Sequence, residues 1–217
     1  MDHPIITEIR SALLPLADSE RAPAMRAYMR DRFIFLGIAT PARRAAIKPI
    51  IRQISEPQLV LPLAQALWTS PEREYHYAAL DMLALHWKKL HADDIPRLIT
   101  LARTHAWWDS VDGMAGIIGD VLRHRHDYMD EALASSDFWV RRIALLHQLG
   151  WRGKTDETRL FNYCKALAHE KEFFIQKAIG WALRDYARHA PDRVREFTAI
   201  NKDILAALSY REANKHL

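Results

Sequence analysis

Three clusters of side chains in this sequence have types and spacings suited to chemistry. In HAWWDSVDGMAGIIGDVL, Trp108 and Asp112 are four residues apart, so on one helix they share a face and set an indole beside a carboxylate. A plainer reading makes Asp109 the N-cap and Asp112 a first-turn acid that complements the helix dipole. Trp108 would then precede the cap, where its staple partner is Gly113, which has no side chain, so this reading leaves Trp108 unexplained. In FFIQKAIGWALRDYARHA the apolar stripe runs through Phe174, Ile175, Ala178, Ile179, Ala182 and Tyr186. Trp181 falls off it, among Lys177, Arg184 and Arg188. An indole among cations is a stacking platform for a base or sugar with phosphate contacts alongside. It is equally a tryptophan covering a neighbouring helix while basic stems snorkel around it. In DFWVRRIALLHQL, Ile143, Leu146 and Leu149 make a buried stripe and Arg142 lies off it, either as a bidentate phosphate fork or as a surface arginine paired with a neighbouring acid.

Other chemistries find no such constellation. His124 and His126 are two apart and His86 and His91 five apart, which is not the spacing of a helical zinc motif. The sequence has no GxSxG elbow, no P-loop and no GxGxxG, and its single cysteine, Cys164, lies in a helix-period setting as a core filler. Neither a metal nor a cofactor is expected.

The elements that must carry these residues are helices throughout. Thr40-Pro41 reads as a cap and first helical position opening PARRAAIKPIIRQI, and Ser70-Pro71 repeats the device before EREYHYAALDMLALHW. Asp137 opens FWVRRIALLHQLGW and Pro191 begins another helix. No alternating β-branched run bounded by turn dipeptides occurs, so the pattern predicts twelve to fourteen helices and no sheet. REYHYAALDML, FWVRRIALLHQL and FFIQKAIGWAL resemble one another, with Tyr75, Trp139 and Phe174 in corresponding places 64 and 35 residues apart. Such spacings, near one and two times 33, fit stacked helix pairs that leave a concave surface for a long ligand. The expected architecture is an all-α, HEAT-like α-solenoid occupying residues 1–217 as one domain, with a concave basic groove.

Length and composition agree. At 217 residues with 49 % hydrophobic and 27 % charged side chains, the chain is globular and leaves no room for a multi-domain enzyme. Seven glycines are too few for glycine-rich phosphate loops. No apolar run reaches the roughly 20 residues of a membrane span, and MDHPIITEIR lacks the form of a signal peptide, so a cytosolic or nuclear protein is expected. The net charge of +4 does not by itself identify a nucleic-acid binder, but the pairs Arg43-Arg44, Lys88-Lys89 and Arg141-Arg142 concentrate it.

WWDSVD at Trp107–Asp112 resembles the signature region of the DNA alkylation repair glycosylases of the AlkD type. AYMRDRFIFLGIATPARR, ALWTSPEREYHYAALDML, SDFWVRRIALLHQL, EFFIQKAIGWALRDYA and SYREANKHL look like that family in the same order, over nearly the whole chain. The resemblance implies a HEAT-like repeat fold cradling double-stranded DNA and monofunctional excision of cationic N3- and N7-alkylpurines. Carried onto this sequence, the catalytic carboxylate is Asp112, the active-site tryptophans are Trp108 and Trp181, the backbone-binding arginine is Arg142 and the tyrosine facing the minor groove is Tyr28. Lys177, Arg184, Arg43 and Arg44 join these as expected DNA-binding cations. Ala39 stands where relatives often carry a polar residue, and relatives can continue past Lys215-His216-Leu217, so one DNA contact at each place is in question. A monomer of bacterial cytoplasm, at the nucleoid when bound to DNA, is the simplest expectation. The alternative is a HEAT-repeat protein that binds duplex or damaged DNA without chemistry.

Overall fold

The computed structural model describes residues 3–217; Met1 and Asp2, the start of the segment read for a leader, lie outside them. The described residues form thirteen α-helices with a few single 3-10 turns, and none of these helices is long and apolar enough to cross a membrane. The chain divides into two compact units, one ending at Leu90 and the other running from His91 to Leu217.

The first unit holds α1 (Pro4–Leu13), α2 (Ala22–Tyr28), α3 (Thr40–Ile51), α4 (Pro57–Trp68) and α5 (Arg73–His86). α1 packs on α3 and α4, and α5 on α3 and α4. The expected caps are displaced by backbone demands. In α3 the Ala39 carbonyl accepts the first helical bond, from Arg43 N–H at 3.0 Å, so Thr40 and Pro41 already lie inside the helix. α5 starts at Arg73 rather than after Ser70, because Arg73 N–H donates to the Ile34 carbonyl at 2.8 Å and the chain turns helical only beyond that bridge. Glu74, fully buried in its first turn, accepts backbone N–H bonds from Leu36, Gly37 and Ile38 at 2.9, 2.8 and 3.1 Å. These bonds satisfy a buried carboxylate and fix the Ile34–Ile38 loop. Gly37 sits at φ +90°, and any Cβ there would lie 2.0 Å from the Asp18 carbonyl oxygen, so this turn admits only glycine.

The second unit holds α6 (Ile95–Arg103), α7 (Trp108–Leu122), α8 (Met129–Leu133), α9 (Phe138–Leu146), α10 (Glu157–Ala166), α11 (Phe173–Ala187), α12 (Pro191–Ile200) and α13 (Ala207–Ala213). Here α7, α9, α11 and α13 pack side by side, each against its sequence-preceding helix as well, which is the stacking of an α-solenoid. The inner helices are the more apolar. Ile143 and Leu146 of α9, and Ile175 and Ile179 of α11, are at most 1 % exposed, and truncating one such side chain to Ala costs about 2–5 kcal/mol. Asp137 caps α9 as expected, its carboxylate accepting Trp139 N–H at 2.9 Å, and Pro191 opens α12. Tyr75, Trp139 and Phe174 all fall within the first turn of their helices α5, α9 and α11.

Polar contacts tie successive repeats together. Arg142 to Asp112, Arg159 to Asp130, Arg141 to Glu170 and Tyr186 to Glu157 each join residues 29 or 30 apart. α13 lies especially close on α11: a Cβ at Gly180 would stand 2.5 Å from Glu212 Cβ, and Ser209 Oγ donates to the Gln176 carbonyl at 2.8 Å. Cys164 is fully buried, and burial pushes its thiol well above the ordinary range, as suits a packing residue.

Candidate active site

The N-terminus of α7 sets up the site. Trp107, not Asp109, is the capping residue: its carbonyl accepts Val111 N–H at 3.0 Å. Trp108 is therefore the first helical residue and Asp112 lies one turn further on the same helix, as their spacing of four allows. Asp109 falls in the first turn, where an acid complements the helix dipole. The two adjacent tryptophans part company. Trp107 is buried and packs edge-on against Trp139 and Phe174, with ring centroids 5.8 and 5.1 Å away. Trp108 is half-buried and lines a cavity of about 340 Å³ together with Asp112, Arg142, Phe173, Phe174, Lys177, Trp181, Arg184 and Glu212.

Arg142 of α9 lies off the apolar stripe, as the sequence suggests, yet only 4 % of it is exposed. Its guanidinium grips Asp112 in a two-pronged ion pair, Nε to Oδ1 at 2.7 Å and Nη2 to Oδ2 at 2.9 Å, while Nη1 donates to the Phe174 carbonyl. Arg142 thus pairs with an acid, but from a buried position and not at the surface. Burial pushes the Asp112 carboxyl above the ordinary carboxylate range; the hydrogen bonds and charge of Arg142 pull it back in part, and Asp109 adds a smaller upward push. Each Asp112 oxygen keeps a second lone pair for a ligand in the cavity.

α11 supplies the opposite wall. Phe174, Ile175, Ala178, Ile179, Ala182 and Tyr186 turn inward or partly inward as the stripe predicts, and Trp181 comes to the cavity half-buried. Lys177 and Arg184 flank it, and both are engaged by Glu212 of α13: Lys177 Nζ lies 3.1 Å from Oε1, and Arg184 Nη1 meets Oε2. The hydrogen bond from Lys177 first, then that from Arg184 and the two charges, hold the Glu212 carboxyl below its ordinary value against an upward push from burial. Arg188 is exposed outside the cavity lining.

Asp112, Trp108, Trp181, Arg142, Lys177 and Arg184 thus meet in one cavity of the second unit. Tyr28, Arg43 and Arg44 belong to the first unit. Tyr28 ends α2 with 71 % of its surface exposed. Arg43 is buried and donates to Asp81 Oδ2 from Nε and Nη2 at 3.3 and 3.1 Å; Arg44, largely exposed, donates to Asp81 Oδ1 at 3.0 Å. Three cavity residues escaped the sequence reading as site members: Phe173, Phe174 and Glu212. Glu212 had a usable signal, since it lies 35 and 28 residues from the cations it binds, close to one repeat.

Beside this geometry stand the likenesses of the whole chain. The family model of the DNA alkylation repair enzymes matches residues 9–217. A solved structure described as a predicted DNA alkylation repair enzyme from Enterococcus faecalis superposes with a TM-score of 0.85 at 31 % identity, covering 93 % of this chain and 96 % of that one. No curated protein matches.

Proposed function

The chain belongs to the DNA alkylation repair enzyme family, and on that premise we propose that it is a monofunctional glycosylase hydrolysing the N-glycosidic bond of cationic N3- and N7-alkylpurines in duplex DNA. The observation that carries this reading is the meeting of two half-buried indoles, Trp108 and Trp181, with the carboxylate of Asp112 in one cavity.

The chemistry follows from the substrate. Alkylation at N3 or N7 makes the purine a cation and a good leaving group, so its departure needs no general acid. The deoxyribose left behind is an oxocarbenium ion, stabilised by negative potential and by aromatic faces. Asp112 supplies the carboxylate and positions the attacking water with its remaining lone pairs. Arg142 acts through Asp112: the two-pronged contact fixes the carboxylate plane and keeps a buried acid ionised. Trp108 and Trp181 give the sugar its π-faces, and Lys177 and Arg184 meet the phosphates beside the lesion. In the first unit Tyr28 and Arg44 are the exposed duplex contacts, and the buried Arg43 holds Arg44 through their shared Asp81. The protein works as a monomeric HEAT-like repeat array in the cytoplasm, one duplex per chain, without metal or cofactor.

The test is release of 7-methylguanine and 3-methyladenine from methylated duplex DNA by the wild type and by Asp112→Asn. Release that collapses in the variant while duplex binding persists supports a glycosylase with Asp112 at the chemical step. Binding without release by the wild type would leave the non-catalytic alternative, a HEAT-repeat protein that recognises DNA.

A further inference from the structure

The cavity carries three cations and two carboxylates, and every one of these charges has an internal partner. The two groupings differ in how open they are to exchange. Arg142 has its fork filled by Asp112 and its remaining edge by the Phe174 carbonyl, with 5 % of its side chain exposed. Lys177 and Arg184 retain 39 % and 21 % exposure, and Glu212 between them 16 %. A phosphate entering this cavity therefore has one pair of cations within reach, and a carboxylate already sits on both.

We propose that Glu212 is a built-in competitor of DNA: in the free protein its carboxylate holds Lys177 and Arg184 in the way a backbone phosphate does in the complex, and duplex binding must displace it. The proposal rests on the reading of this cavity as the duplex-binding site. A carboxylate and a phosphodiester offer the same recognition element to such a pair, two anionic oxygens a short distance apart. The backbone beneath Glu212 is pinned, by the close approach of α13 at Gly180 and by the Ser209 hydroxyl on the Gln176 carbonyl, so displacement means a swing of the outer side chain alone. The cost of breaking the two ion pairs falls on any duplex, damaged or not. Glu212 therefore weakens the hold on every duplex by the same factor and shortens residence on lesion-free DNA, where it would be unproductive.

The experiment is a salt titration of lesion-free duplex binding by wild type and Glu212→Gln, an isosteric change that removes the charge and leaves one of the two acceptor oxygens. Tighter binding at low salt by several-fold is expected. The slope of log K against log salt should stay close to the wild type's, because the same phosphates are neutralised in both complexes. Adding Lys177→Gln and Arg184→Gln should erase the tighter binding. Unchanged or weaker binding by Glu212→Gln, with a wild-type helical melt, overturns the proposal and makes Glu212 a support for its cations. Should Glu212→Gln fail to fold, Glu212→Asp, whose shorter arm loosens the same ion pairs, is expected to bind tighter by a smaller factor, and no tightening overturns the proposal likewise. Excision assayed in parallel separates the two failures. A wild type that excises while Glu212→Gln binds no tighter sinks only the competitor, whereas a wild type that binds no duplex sinks both readings.

Discussion

The second unit holds two arginine–aspartate pairs built on the same plan and put to opposite use. Arg142 reaches Asp112 from α9 to α7, 30 residues back; Arg159 reaches Asp130 from α10 to α8, 29 residues back. Around Asp112 the neighbours are indoles and phenyl rings, its side chain is 15 % exposed, and burial drives its carboxyl up. Around Asp130 there is solvent, with 69 % exposure, and the Tyr163 hydroxyl donates at 2.6 Å, so its carboxyl is driven down. Asp130 also lines a cavity, of about 370 Å³, but one walled mainly by polar side chains. The contrast separates the charge pair from its surroundings: an ion pair alone marks a repeat contact, and it is desolvation with aromatic walls that makes one a candidate for chemistry.

The comparison breaks most sharply at the two aspartates. Asp112→Asn should lower lesion release by about 10²–10³-fold, the usual worth of one preorganised electrostatic group, whereas Asp130→Asn should leave the single-turnover rate within about twofold. Equal losses would end the distinction. Next in size is stability. Arg142→Met strands a mostly buried carboxylate and should cost about 3 kcal/mol near neutral pH by chemical denaturation, while Arg159→Met at the open pair should cost about 1 kcal/mol or less. The Arg142→Met penalty has a pH sign. With the guanidinium gone, the Asp112 carboxyl rises further above its unfolded value, so the folded state binds the extra proton. Stability therefore falls as pH climbs from the unfolded value through the folded one, and recovers on acidification. A loss that stays constant with pH would mean Asp112 is not the group left uncompensated.

On the proposed reading the same carboxyl sets the acid limb of activity. Because Asp112 must be ionised, release should fail on acidification at a pH above the ordinary aspartate value, and Arg142→Lys, which cannot reproduce the two-pronged contact, should move that limb upward. The smallest effect concerns the walls. Trp181→Ala should reduce release by about tenfold, the scale of a desolvated cation–π contact, with little change at low salt in duplex affinity.

Much of this was legible in residue order, and the gaps have physical causes. Helix content, the buried stripe of α11, that of α9 as far as Leu146 (Leu149 lies past the helix end, half-buried) and the shared face of Trp108 and Asp112 depend on spacings under eight residues, which a linear pattern records. Caps were less legible. At Ala39 and Trp107 the helix starts on a backbone carbonyl without help from a side-chain acceptor, so Thr40 and Asp109, the better capping types, point one and two residues too late. The burial of Arg142 was hidden because an apolar stripe identifies what is buried for hydrophobic reasons and is blind to a charge buried by its partner. Glu212 was fainter: its two cations lie on another helix, and only their distance of 35 and 28 residues, close to one repeat, hints at the stacking of α13 on α11 that brings them together.

That stacking bears on which descendants of this gene can work. Asp112, Arg142, Trp181 and Glu212 come from four consecutive helices of one row, so the site is written in whole repeats rather than in loops. All four sit within helices, and the turns between those helices carry none of them. Duplicating or deleting one helix pair anywhere between α7 and α13 would seat a stranger beside Asp112 or part Glu212 from its cations. Lineages carrying this site are thus locked in repeat number across it.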